Sequence, residues 1–259
     1  QIGFYAESTV SNEDIDFFVD NVRISDPTFN PLTCDDFESY NTGAMAGQST
    51  DWLPWGGAFG TEDTEISTAQ AHGGSHSMHV HDSGTNGASD IVRGLGDFAG
   101  GTHEVSFFFY VPANHGGYFN LMHFYDASGI GNTWAIEMYL NGQTGQADML
   151  RGSASLNDTL TSFPFPTDTW HEAQFIVDLD ADSADFVLNG TSMHQWQWSA
   201  GLPGVYGSLG AFNVYSAPID TLPASIYIDD FCTGAVNAPC VVTTQPTTSD
   251  VTACEGLPA

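Results

Sequence analysis

Along most of the chain, apolar and polar residues alternate with a period of two. In HEVSFFFYVP the apolar Val105, Phe107, Phe109 and Val111 are interleaved with Ser106, Phe108 and Tyr110. GYFNLMHFYD, NTWAIEMYL, WHEAQFIVDLD, ADFVLNG, GSLGAFNVYS and SIYIDDF continue the theme. Each is short, rich in aromatic or β-branched residues, and bounded by Gly, Asn, Asp or Pro, as strands joined by turns are. Asp36–Ser39, Glu65–Ala69, Met78–His81 and Asp90–Arg93 are further strand candidates. No stretch of about ten residues carries a helical stripe. Roughly a dozen short strands predict an all-β fold, a two-sheet antiparallel sandwich. Phe107–Tyr110 is apolar on both faces, which predicts that one sheet's outer surface is covered by loops or carries a binding cleft.

Composition sharpens this picture. The 259 residues are 41% hydrophobic, with 18 Phe, 9 Tyr and 6 Trp, enough for a substantial core. Against that stands a net charge of -29, from 32 Asp plus Glu and 3 basic residues, Arg23, Arg93 and Arg151. The acids are dispersed and the aromatics abundant, so the chain reads as folded with an acidic skin rather than as disordered. Such a skin suits calcium- or salt-rich surroundings, and equally plain solubility. A chain without lysine and with three arginines cannot build a cationic face, which makes nucleic acid and anionic membrane surfaces poor partners.

The four cysteines, Cys34, Cys232, Cys240 and Cys254, form no C-x-x-C pair, which argues against thiol redox chemistry and a four-thiolate zinc site. Their even number and boundary positions suggest structural disulfides in an oxidising, secreted or cell-surface setting. Of the three possible pairings, position favours 34–232 and 240–254, and the sequence does not choose among them. No apolar run is long enough for a membrane helix. With no basic-then-apolar leader, the chain is expected to be a mature or excised piece.

The ends of the chain resemble each other: IGFYAES followed by IDFFVDNVRIS (Ile2–Ser25) parallels LGAFNVYS followed by SIYIDDFCTG (Leu209–Gly234). This predicts that residues 1–26 are the terminal hairpin of a preceding, incomplete sandwich repeat. Residues 27–33 are then a linker, 34–235 a complete domain, and 236–259 a Pro/Thr-rich disulfide-bearing linker or the start of a next domain. A lone hairpin is marginal, so it has to pack on a neighbouring domain or another copy.

The opening CDDFESY, the aromatic loop DWLPWGG, the STAQAHGGSHSMHV stretch, the WHEAQFIVDLD…FVLNG hairpin and the closing YIDDF together resemble the concanavalin A-like jelly roll, in its laminin-G, MAM-like and bacterial surface-protein versions. The resemblance covers most of the chain. It implies a jelly-roll sandwich in a secreted or surface multidomain protein, often glycan-binding and often calcium-stabilised. It also implies adjacent first and last strands, which would bring Cys34 near Cys232. Hydrolases of this family commonly carry E-x-D-x-x-E on one strand, and that pattern is absent here.

Candidate chemistry follows from residue types. A glycosidase needs two carboxylates across a cleft; Glu137 and Glu172 interrupt aromatic-flanked strands and could project from one sheet, with His123 and Asp126 as further possibilities. Sugar binding needs aromatic platforms beside polar groups: Trp52 and Trp55 in a Gly/Pro loop, Trp196 and Trp198 at i, i+2, and the weaker Tyr118 and Tyr139. Each set is equally explained by burial. Calcium wants several hard oxygens. Asp178, Asp180, Asp182 and Asp185 lack an EF-hand pattern and read as a turn exposing its acids. Asp35, Asp36 and Glu38 would crowd Asp229 and Asp230 if the terminal strands pair, a cost that a calcium ion or hydrogen-bond donors would offset. His72, His76, His79 and His81 are clustered, with His79 and His81 sharing a strand face, but no third metal ligand is fixed by spacing. Asn157 and Asn189 begin glycosylation sequons.

These observations predict a non-catalytic extracellular adhesive or structural module, glycan-binding or contacting neighbouring copies and domains of the same protein. The alternative is a glycoside hydrolase or polysaccharide lyase acting on an extracellular polysaccharide.

Overall fold

The computed structural model describes residues 29–82, 88–152, 158–200 and 207–236. The predicted N-terminal hairpin, Cys240, Cys254 and Asn157 lie outside them. Among the described residues there are sixteen strands and no helix. Numbered in chain order, the larger, nine-stranded sheet runs β14 (Thr191–Gln197), β13 (Ser183–Leu188), β12 (Trp170–Asp178), β7 (Thr102–Tyr110), β16 (Ser225–Val236), β5 (Ser77–His81), β4 (Glu65–Ser67) and β2 (Gly43–Ala44), with β1 (Phe29–Asp35) also pairing with β16. The seven-stranded sheet runs β11 (Asp158–Pro164), β10 (Gln146–Arg151), β9 (Thr133–Asn141), β8 (Gly116–Phe124), β15 (Leu209–Tyr215), β6 (Asp90–Phe98) and β3 (Trp52–Pro54). Neighbours such as β7 and β16, or β6 and β15, are antiparallel and far apart in sequence. This is the two-sheet antiparallel jelly roll.

The period-two pattern works by sorting side chains. Val105, Phe107 and Phe109 of β7 and Ala173, Phe175 and Val177 of β12 point inward, where they meet Phe119, Leu121, Ile136, Met138 and Phe212 of the other sheet. Phe107 sits at the centre, 4.7 Å from Phe212 and edge-on to Phe119 at 5.1 Å between ring centroids. Fully burying each such ring contributes about 2–3 kcal/mol. The outward Phe108 is only half-buried, and the loop between β4 and β5 lays the His72 ring flat on it at 3.5 Å. Loop cover is thus the outcome at Phe108. Between β13 and β14, Asn189 and Gly190 both have positive φ (49° and 75°), the conformation a tight two-residue hairpin requires.

Strand β16 organises the larger sheet. One edge pairs with β7 for most of its length; the other is shared, Ser225–Ile228 with β5 and Phe231–Val236 with β1. At the changeover the register with β7 slips between Asp229 and Cys232, and Asp230 adopts a positive φ of 47°. The slip is a β-bulge that re-aims the chain. Cys34 and Cys232 are direct cross-strand partners and form a disulfide. Two strand expectations change: Asp36–Ser39 is a turn, not a strand, and residues 29–33, read as linker, belong to β1. The Asp-Asp run turns the chain because Asp35 and Asp36 accept the N–H groups of Phe37 and Glu38, two residues on in each case.

The disulfide closes a sequence separation of 198 residues. Replacing both cysteines by serine should lower unfolding stability by about 3–5 kcal/mol, measured by urea denaturation of the double variant against the oxidised protein.

Candidate functional site

The outer face of the seven-stranded sheet carries the most organised polar chemistry. In register, Glu137 of β9 faces Asn120 of β8, Asn120 faces Asn213 of β15, and Asn213 faces Val92 of β6. This is a row across four strands. Beside it Tyr139 faces Tyr118, and Tyr215 faces Asp90. On the other side lie Met122 and Ala211, forming with Val92 an apolar floor against which Trp55, Tyr125 and Trp134 pack. Trp55 stacks on Trp134 at 5.8 Å and 17°. The Tyr125 hydroxyl donates to the Trp55 carbonyl at 2.5 Å, pinning the Trp55 loop to the end of β8.

Hydrogen bonds join these rows into one network. Asn120 Nδ2 donates to the Tyr118 hydroxyl (3.1 Å) and to Asn213 Oδ1 (2.7 Å). The Tyr118 hydroxyl donates to Glu137 Oε1 at 2.7 Å, which also accepts from Tyr139 at 3.1 Å. Asn213 Nδ2 donates to Asp90 Oδ1 at 2.7 Å and to the Ile91 carbonyl at 2.9 Å. Donation therefore runs outward from Asn120 to a carboxylate at each end. Asn120 is buried, yet its Oδ1 has no partner among the described residues. An unpaired buried acceptor costs about 1–3 kcal/mol.

Burial sets the electrostatics. It raises the Tyr118 phenol far above its usual range, with the Glu137 charge adding to the effect. Tyr139 is pushed up to about 12 by the same two causes. Both phenols stay protonated donors at neutral pH, which suits hydrogen bonding and not proton abstraction. Asp90 is pushed up to about 7, mainly by burial and further by the Glu62 charge, while the Asn213 amide pulls the other way.

Of the sequence candidates, the structure brings Glu137, Tyr118, Tyr139 and Trp55 to this face. It separates the others. Glu172 lies on β12, paired with Phe108 in the opposite sheet, so it does not share a sheet with Glu137 as expected. Trp52, Trp196 and Trp198 are core residues, at 0%, 8% and 1% exposure, and are not platforms. Trp52 donates its Nε1–H to Asp35 and packs edge-on to Phe231; Trp198 packs on His123 and donates to the Gly207 carbonyl. His123 is buried against Trp198, donates Nδ1–H to the Ser208 carbonyl, and is pushed down to about 4 by burial. Asp126 caps its own turn by accepting from Ser128. Asn189 Oδ1 accepts the Glu172 N–H, and its Nδ2 lies 3.0 Å from the His171 ring.

Donors of the chain satisfy the five acids considered for calcium. Asp35 accepts from Phe37 N–H, the Tyr40 hydroxyl and Trp52 Nε1–H, and Asp36 from Glu38 N–H. Glu38 accepts from the N–H groups of Ser75 and His76, which hold its carboxyl below the usual range. Buried Asp229 accepts from the N–H groups of His72 and Gly73, and burial pushes it up to about 6. Asp230 pairs with His72 Nδ1 at 2.7 Å. These acids do not converge as a ligand set: among the described residues, the group of three or more potential ligands whose atoms all lie within 4.8 Å is elsewhere, at Glu65, His79 and His81. Asp182, in the other acidic run, accepts from Ser199 and Gln197 and so pins the hairpin end.

A cleft of about 460 Å³ opens at one edge of the sandwich, where Asp51, Leu53, Arg93 and Phe98 meet Thr33 and Thr233. Its cation is already engaged, since Arg93 pairs with Asp51 at 2.8 Å and lies over the Trp52 ring. The residues that sequence reasoning missed are Asn120, Asn213, Asp90, Tyr125 and Trp134. The available signal was an amide in the middle of each of two otherwise apolar strands, YFNLM and GAFNVY.

No family model matches the sequence, and no curated protein matches it. Solved structures share its fold. One, from work on endo-acting O-glycanases that initiate mucin breakdown in the human gut microbiota, superposes with a TM-score of 0.53 at 12% identity, covering 81% of this chain and all of the other. A family 7 alginate lyase solved with its substrate gives 0.52 at 13% identity, covering 75% and 96%. A sialidase gives 0.51 at 12% identity over 78% of this chain, which spans 18% of the sialidase's length. These neighbours establish the concanavalin A-like jelly roll. No helix among the described residues is long and apolar enough to cross a membrane.

Asp90 makes stability depend on pH. Its folded value of about 7 lies above the roughly 3.9 of an unfolded Asp. The native state therefore favours the protonated form, and that contribution is complete below about pH 4 and lost as pH rises through 7. Melting temperatures at pH 5 and pH 8 should differ in the wild type, and Asp90→Asn should narrow the gap.

Proposed function

We propose that the chain is a non-catalytic extracellular module, adhesive or structural, that holds a glycan on the outer face of its seven-stranded sheet. The observation that carries this reading is the polar row through Asn120 together with the aromatic wall at its side. A buried amide at the centre of a phenol–amide–carboxylate row, with one acceptor unpaired, stands beside a stacked tryptophan pair. Sugars present this combination of needs, with hydroxyls for the polar row and an apolar ring face for the aromatic wall. The disulfide supports a secreted or cell-surface setting. Fold neighbours reported to act on mucin or to bind an alginate substrate make polysaccharide and glycoprotein glycans the first ligands to try.

A glycoside hydrolase or polysaccharide lyase is the second reading, and the raised Asp90 favours it, since a carboxyl at about 7 can serve as a general acid. Against it, the β9 and β6 backbones that carry Glu137 and Asp90 are three strand spacings apart, about 14 Å. That exceeds the roughly 5–9.5 Å between paired glycosidase carboxylates. Both Glu137 and Asp90 are also occupied by donors of the network.

A glycan array probed with the full chain, including uronate polymers and mucin-type glycans, is expected to give binding that Trp134→Ala and Asn120→Ala each weaken by about tenfold, or 1.4 kcal/mol, with melting temperature as the folding control. An array without signal would overturn the glycan reading. Release of reducing ends or unsaturated uronate, abolished in Glu137→Gln or Asp90→Asn, would replace it with the enzymatic one.

A further inference from the structure

The outer face of the nine-stranded sheet holds a second constellation. Trp170, Tyr110, Tyr227, His79 and Glu65 are successive register partners across β12, β7, β16, β5 and β4. At the far end of this row His81, two residues along β5 from His79, turns its ring to the same carboxylate. Glu65 Oε1 lies 3.0 Å from His79 Nδ1 and 3.4 Å from His81 Nε2. All three potential ligand atoms fall within 4.8 Å of one another.

We propose that Glu65, His79 and His81 form a site for a divalent transition metal of the zinc type. The spacing is the first argument. Metal–ligand bonds of about 2.0–2.1 Å meeting at tetrahedral angles put neighbouring ligand atoms about 3.3 Å apart, close to the two separations seen here. The second argument is the support behind the ligands. His79 Nε2 lies 2.9 Å from Ser225 Oγ, so its N–H can donate there and leave Nδ1 free for a metal, as ligating histidines do. The His79 ring is stacked flat on Tyr227 at 4.0 Å and 2°, and His81 stacks on its other side at 4.3 Å. The imidazoles are thus held in place before any ion arrives. The donor set gives the class of metal: two imidazoles and one carboxylate suit zinc, cobalt, nickel or copper, whereas calcium prefers oxygen throughout. Three protein ligands leave a fourth position for water or an external ligand, on the side where the Glu65 side chain is 43% exposed.

The test uses the full chain, stripped with chelator and titrated with cobalt(II), followed by zinc(II) competition. The expected result is a tetrahedral cobalt spectrum displaced by zinc and not by millimolar calcium. His81→Ala and Glu65→Gln should each weaken binding tenfold or more, while His72→Ala, which removes the partner of Asp230, should leave it unchanged. Melting of the stripped variants checks folding, and if one fails to fold the other decides. Absence of the tetrahedral spectrum, calcium displacement, or unchanged affinity in a folded His81→Ala or Glu65→Gln would overturn the proposal. The site lies on the sheet opposite the glycan face, so the two readings stand or fall separately.

Discussion

A chain with 32 acids and 3 arginines cannot neutralise its carboxylates by ion pairing, so acids that approach the core have to be held by neutral donors. Asp229 is the most demanding case. It is buried where one edge of β16 passes from β5 to β1, and an ionised carboxylate there is costly without partners. The N–H groups of His72 and Gly73 supply them and bring the β4–β5 loop down onto the sheet. Glu38 grips the same loop from the other end through Ser75 and His76. Asp35 in turn ties the turn after β1 to Trp52 of the opposite sheet. The loop that covers Phe108, the shared edge of β16 and the closure of the sandwich at its first strand therefore rest on one kind of interaction, a carboxylate accepting from uncharged N–H and O–H groups.

The architecture was legible because sheet formation depends on local alternation, and VSFFFYV or AQFIVDL state that alternation openly. Face assignment was less legible. Spacing puts Trp196 of β14 and Trp198 just beyond it on one side of the chain but does not say that the side is the core. Glu137 and Glu172 each interrupt an aromatic strand, and only the strand order shows that they belong to different sheets. Register is a long-range property. Asn120 and Asn213 are 93 residues apart, and Glu65 and His79 meet only because β4 and β5 pair as they do. What the sequence did carry was an anomaly, polar groups in the middle of strands otherwise fit for burial. Such groups persist where a network or a ligand satisfies them.

The two outer faces differ in the same physical terms. On the smaller sheet the polar row lies between tyrosines and an apolar floor, and its groups are largely spent on each other, leaving one acceptor over. On the larger sheet an aromatic row ends in two imidazoles that compete for one carboxylate oxygen. A face whose groups satisfy one another is rigid and selects by shape, whereas a face with converging donors and lone pairs selects by charge and coordination. Both faces are backed by the same aromatic interior.

The disulfide has a mechanical consequence. The sandwich is entered through β1 and left through β16, adjacent antiparallel strands joined at Cys34–Cys232. Tension applied at residues 29 and 236 meets that covalent link within a few residues of each end, where β16 is also held by β7. The load path runs through a few residues at the seam, and the intervening chain is shielded from it. Pulled from both ends, the domain behaves as a short inextensible rivet rather than as a spring.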